Sequence, residues 1–174
     1  LKQGLIRHLK DPLCVGLGEI GLERGDDVEM EILRAHLDFA SECFVEGKKI
    51  GIHTPRRDKE RITEKILRVL EEYPDLRSYV LIEHVTLSTL SLVRDLEPVI
   101  GMTLQYGKTT PQDVQKIVEQ GRYPIEKIIL NSDSGRKISL PYLDFVKGGY
   151  VPVREKEMMI TTNAIRFYGL DLST

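Results

Sequence analysis

Short apolar runs alternate along this chain with longer stretches in which apolar positions recur every three or four residues, and the alternation predicts strands separated by helices. Apolar positions at Leu5, Ile6 and Leu9 predict a first helix that closes on the Asp11-Pro12 turn. The run at residues 14–20 then reads as a buried strand that presents Glu19 between Gly18 and Gly21, where the missing side chains let the backbone bend closely. Met30, Leu33, Leu37, Ala40 and Phe44 mark an amphipathic helix to about Glu46, stopped by Gly47. Residues 49–53 (KIGIH) are a second strand, broken by Thr54-Pro55 just past its histidine.

The pattern continues with a helix over residues 58–72, whose buried face is Ile62, Ile66, Leu67 and Leu70, and a strand over residues 79–83 that runs directly into His84. A short helix near residues 87–94 leads to a strand over residues 98–104, with Thr103 and Gln105 at its tip. Thr110-Pro111 opens the next helix, with Pro near its first position and Val114, Ile117 and Val118 facing inward. The last strand covers residues 127–130, and NSDSG at residues 131–135 is its tip. A helix, a Gly148-Gly149 turn, a helix from about Arg154 and a final helix capped by Asn163 complete the chain. Strand and helix alternation of this kind predicts a parallel sheet with crossover helices, either doubly wound or closed into a barrel.

Composition narrows the class without choosing the chemistry. The 174 residues, 41% hydrophobic and 30% charged, suit one soluble globular domain over residues 1–174. A net charge of −2 provides no general basic field, so a nucleic acid would have to be met by local lysines and arginines. No apolar run approaches the length of a membrane span, and the first ten residues lack a signal peptide's apolar segment. Cys14 and Cys43 read as buried free thiols, in keeping with a reducing, cytoplasmic setting. His36 lies at the edge of its helix's apolar stripe and reads as structural.

Functional sites of such folds gather at the carboxyl ends of the strands. Here those ends supply Glu19, His53, His84 and Asp133. Each histidine taken alone reads as an ordinary hydrogen-bonded residue. Two of the chain's four histidines nevertheless end apolar strands, and acids stand at two other tips. Two imidazoles with two carboxylates suit zinc, manganese or iron, because mixed nitrogen and oxygen donors hold a divalent ion while leaving a position for water.

The same residues carry a resemblance. GEIGLE at residues 18–23, IHTPR at 52–56, His84, SD at 132–133 and the closing NAIRFYGL at 163–170 resemble, in order, the blocks of the TatD-type metal-dependent hydrolases of the amidohydrolase superfamily. The resemblance implies a (β/α)8 barrel with one or two divalent ions, zinc, manganese or magnesium. Glu19 would be a bridging ligand, His53 and His84 further ligands, and Asp133 a ligand that also orients or deprotonates the attacking water. It also implies a phosphoester substrate, DNA among the candidates, with Arg56 or Arg57 contacting a phosphate; for both arginines a solvated helix start is the alternative.

Departures from the pattern qualify this. The family's first-strand His-x-His pair has no match here, so the five strands correspond to strands four to eight of an incomplete barrel. A longer parent protein, a truncated gene, or an associating chain that covers the open edges would each account for that, and the first two are favoured. Glu23 stands where the family has Asp, and PYL appears only at residues 141–143. The alternatives to a hydrolase of phosphoesters are a non-catalytic remnant or scaffold protein and another amidohydrolase activity, lactonase or phosphotriesterase-like.

Overall fold

The computed structural model describes residues 2–42, 47–135 and 137–171. Five strands form a parallel sheet in the order β1-β2-β3-β4-β5, the order of the sequence. Among the described residues the row is open, with β1 and β5 at its ends, so the α/β reading holds while a closed barrel is not formed. The chain divides into two compact units, Leu1–Ile82 and Glu83–Thr174.

The first unit holds α1 (Lys2–Leu9), β1 (Gly16–Gly21), α2 (Asp27–Glu42), β2 (Lys49–His53), α3 (Lys59–Glu71) and all but the last residue of β3 (Val80–Glu83). Its core is built from Leu33, Leu37, Phe39 and Ala40 of α2, Ile62, Ile66, Leu67, Val69 and Leu70 of α3, and Ile50 and Ile52 of β2. Phe39 and Val69 join the buried faces although the expected stripes omit them. Phe44 and Cys43 lie outside the described residues. Cys14 is a free thiol that donates to the Gly16 carbonyl at 3.4 Å. His36 Nδ1 lies 2.8 Å from the Ile32 carbonyl one turn back, the structural role expected of it.

β1 departs from the expected strand in a way that matters for the site. Its register with β2 runs Gly16 to Lys49 and Leu17 to Ile50, then resumes at Ile20 to Ile52 and Gly21 to His53. One extra residue is therefore accommodated between Leu17 and Ile20, a bulge of the kind that re-aims side chains. Glu19 sits in that bulge, exposed, inside the strand rather than at its end. Gly21 is obligatory to the pairing, since a Cβ there would lie 2.4 Å from the His53 carbonyl oxygen.

The second unit continues with α4 (Leu90–Val93), β4 (Val99–Thr103), α5 (Pro111–Glu119), β5 (Ile128–Asn131), α6 (Leu140–Lys147), α7 (Val153–Glu157) and α8 (Asn163–Tyr168). α5 begins as its sequence predicts: Thr110 and Asp113 form a reciprocal capping box and Pro111 opens the helix. Asn163 is a correction. It is not a cap, because a π turn, Met158–Thr162, joins α7 to α8 without a break. Asn163 is instead buried at 2% exposure, and its Nδ2 donates to the carbonyls of Ile125 (2.7 Å) and Ile128 (2.8 Å). The last helix is thereby fastened to the backbone that enters β5.

Candidate metal centre

In the first unit β1 and β2 bring an imidazole against two carboxylates. His53 ends β2, with Nδ1 3.2 Å from Glu19 Oε1 and Nε2 3.2 Å from Glu23 Oε2. Glu23 is placed by its loop: Glu29 Oε2 accepts the backbone N–H groups of Glu23, Arg24 and Gly25 at 2.8–2.9 Å. Those amide donors, Gly25 foremost, hold the Glu29 carboxyl below its ordinary range. In the sequence Glu23 is only a departure from a family pattern, whereas in the structure its carboxylate meets His53.

Arg56 and Arg57 are exposed in the bend between β2 and α3. Lys48 and Lys49 do not join them in one basic surface. Lys48 donates to the carbonyls of Asp11 and Cys14, and Lys49 lies over the Tyr79 ring at 4.9 Å, at the start of the strand whose far end leads to the arginines. A five-residue strand separates the two pairs by roughly 16 Å.

In the second unit the tips of β3, β4 and β5 form a connected polar cluster. His84 is buried and held at φ 61°, and Asp133 at φ 44°, both in the left-handed region that non-glycine residues seldom occupy. Backbone outliers of this kind concentrate at functional sites, and two of the four sequence-predicted ligands carry them. His84 Nδ1 is 2.7 Å from Thr103 Oγ1, Thr103 Oγ1 donates to Asn131 Oδ1 at 2.8 Å, and Asn131 Nδ2 donates to Glu83 Oε2 at 3.0 Å. Thr103 and Asn131 are register partners across β4 and β5, which puts their side chains on one face of the sheet. Asp133 Oδ2 accepts from Lys108 Nζ at 2.5 Å, and the same ammonium lies 3.4 Å from His84 Nδ1. Lys108 had no counterpart in the sequence reading.

In the first unit Glu19 and His53 each offer a ligand atom suited to a divalent ion, and these atoms lie within 4.8 Å of one another; in the second unit His84 offers a buried imidazole. The donor set is that of a zinc-like or manganese-like ion. Asp133, the fourth predicted ligand, is engaged by Lys108.

No protein-family model matches the chain. It is 32% identical over 132 residues to an uncharacterized metal-dependent hydrolase of Methanocaldococcus jannaschii, a match that takes in 75% of this chain and 50% of that protein. The crystal structure of a TatD-like protein from Archaeoglobus fulgidus superposes with a TM-score of 0.70 at 30% identity, covering 97% of this chain and 66% of that one. A β-aspartyl dipeptidase from Fervidobacterium islandicum shares the fold alone, with a TM-score of 0.68 at 17% identity over 95% of this chain and 50% of that one. The chain thus spans half the length of the curated relative that it matches. Sequence and fold together place it as TatD-related, akin to the metal-dependent hydrolases.

Proposed function

We propose that the chain holds a divalent ion through Glu19, His53 and His84 and hydrolyses phosphoester bonds, with DNA phosphodiesters among its substrates. The observation that carries this reading is the Glu19 carboxylate set 3.2 Å from the His53 imidazole in the first unit, with a second, buried imidazole at His84 in the second. Its relatedness to metal-dependent hydrolases supports the reaction class, and the phosphoester is the finer part of the proposal.

An ion in such a set supplies a Lewis acid that brings the ionisation of a bound water toward neutral pH. The chain's own residues do the rest. Glu19 reaches the site from a bulge that leaves it exposed, and His53 faces it through Nδ1 while Nε2 is held by Glu23. We assign Asp133 to orienting the attacking water and accepting its proton, with its carboxylate steadied by the Lys108 ammonium. Arg56 and Arg57, exposed after β2, are suited to gripping a phosphate with two parallel N–H donors. The unpaired thiol of Cys14 accords with work in a reducing compartment.

The test is elemental analysis of the purified chain after exposure to zinc, manganese or magnesium, alongside cleavage of bis-p-nitrophenyl phosphate and of a DNA oligonucleotide. Wild type should retain ions that the His53→Ala, His84→Ala double variant does not, with hydrolysis lost in parallel. Retained ions without any hydrolysis would point to a scaffold role, and a wild type that takes up no ion would sink the metal-centre reading.

A further inference from the structure

We infer that Glu83, Asn131 and Thr103 act as a relay that fixes the proton of His84 on Nδ1 and presents Nε2 as the electron-pair donor. The inference deepens the proposed metal centre and rests on it for its purpose, but its geometry stands within the second unit.

The direction of every hydrogen bond follows from one end. Glu83, as a carboxylate, can only accept, so the neighbouring Asn131 must turn its NH2 toward Glu83 Oε2. That leaves Asn131 Oδ1 facing Thr103, whose single hydroxyl proton is then committed to it at 2.8 Å. With its proton spent, Thr103 Oγ1 can only accept from His84 Nδ1 at 2.7 Å, so Nδ1 bears the hydrogen. The Lys108 ammonium, 3.4 Å from Nδ1, is also a donor, and its short bond goes to Asp133. The opposite assignment, Lys108 donating to a bare Nδ1, would turn Asn131 over and set its carbonyl against the Glu83 carboxylate.

The backbone is shaped around this relay. Gly101 lies on the same face of β4 as Thr103, and a Cβ there would stand 2.1 Å from Glu83 Oε2. Glu83 therefore occupies space that only glycine leaves. Thr103 is fully buried and His84 nearly so, which shields the relay from competition by water. A histidine that ligates an ion through one nitrogen commonly donates from the other to an oriented acceptor, and losing that acceptor typically weakens metal binding by about 10–100-fold. Here the acceptor is a hydroxyl whose polarity is dictated from two residues further on, which makes Thr103, Asn131 and Glu83 positioning residues.

The experiment reads the tautomer directly. In the metal-free 174-residue chain with 15N-labelled histidines, held at a pH where His84 is neutral, long-range proton–nitrogen correlations should show a protonated Nδ1 and a bare Nε2. Thr103→Val should let His84 drift to the Nε2–H form that free histidine prefers, and should lower zinc affinity by about 10–100-fold. Thr103→Ser, which restores the hydroxyl, should return both readouts to near wild type and shows that the effect is not misfolding. Gly101→Ala should act in the same direction as Thr103→Val by displacing Glu83. An Nε2–H tautomer in wild type, or a Thr103→Val variant with unchanged tautomer and affinity, would overturn the relay. A protein with the Nδ1–H tautomer that binds no zinc would uphold the relay and defeat the metal-centre reading, so the two failures are distinguishable.

Discussion

The two histidines of the proposed centre are held in opposite ways. His53 meets two ionic partners directly, and all three side chains are open to water, at 27% exposure for His53, 46% for Glu19 and 58% for Glu23. His84 is buried, and its partner is a neutral hydroxyl oriented through an amide by a distant carboxylate. Exposed ion pairs are worth little because solvent screens them, while buried hydrogen bonds are costly to leave unmade. The first arrangement gives a ligand that is easily adjusted, the second one that is set in advance.

The sharpest break is removal of each ring. His84→Ala and His53→Ala should each weaken zinc binding by more than the roughly hundredfold that loss of a supporting residue brings, as read by competition with a chelator. Added imidazole should restore part of the affinity to His53→Ala, whose site is open to solvent, and none to His84→Ala, whose site is closed. Equal rescue of both would erase the distinction.

Next in size is a change to the framework of the second unit alone. Asn163→Ala leaves the carbonyls of Ile125 and Ile128 without their donor, while relieving a buried Oδ1 that has no partner among the described residues. The balance should be a loss of about 2 kcal/mol in urea denaturation, from one or two unmet buried acceptors. An unchanged midpoint would mean that water reaches these carbonyls.

A smaller effect is expected at Glu23. Glu23→Gln keeps an acceptor for His53 Nε2 and removes a screened charge, so zinc affinity should fall by threefold at most, on the order of a surface ion pair. A larger drop would show that this pair is as rigid as the one at His84.

Least disruptive, and opposite in sign for the two units, is pH. The Glu29 carboxyl is held low by the amides of Gly25, Arg24 and Glu23, so its contribution is present above its unfolded value near 4.5 and is lost as pH falls further. Amides 23–25 should therefore lose hydrogen-exchange protection in acid, and Glu29→Gln should blunt that loss. In the second unit burial, with the Glu83 charge adding to it, pushes the Tyr168 phenol from 10.0 to about 12. A raised phenol contributes stability below pH 10 that is lost as pH climbs through 12, and Tyr168→Phe should flatten that alkaline decline. Tyrosine absorbance titration checks the second limb.

Much of the framework was legible in the sequence because strands and helices announce themselves by period. The strand KIGIH is found where its pattern places it, and Thr110-Pro111 opens a helix as its chemistry requires. What escaped has identifiable causes. The bulge at Glu19 adds one residue without disturbing an apolar run that already contains glycines, so periodicity does not register it. Asn163 precedes an apolar run and so has the appearance of a cap, whereas its role depends on carbonyls 35 and 38 residues earlier. The relay was hidden for the same reason, since its bonds join residues 19, 28 and 48 positions apart. His53 and His84 stand out locally because one ends an apolar strand and the other directly follows one, whereas Glu19 lies inside β1.

The π turn at Met158–Thr162 carries a consequence for how this chain tolerates changes in length. Each residue of an α-helix turns its successors by about 100°, so a deletion within α7 would swing Asn163 away from the carbonyls it grips. A π turn is a helix holding one surplus residue, and shedding that residue lets the backbone relax to ordinary α geometry with both flanks still in phase. Excising the exposed Thr161 should accordingly leave the melting temperature close to wild type, whereas excising Lys156 should lower it sharply. The turn is a point at which the chain can shorten without losing its angular bearings.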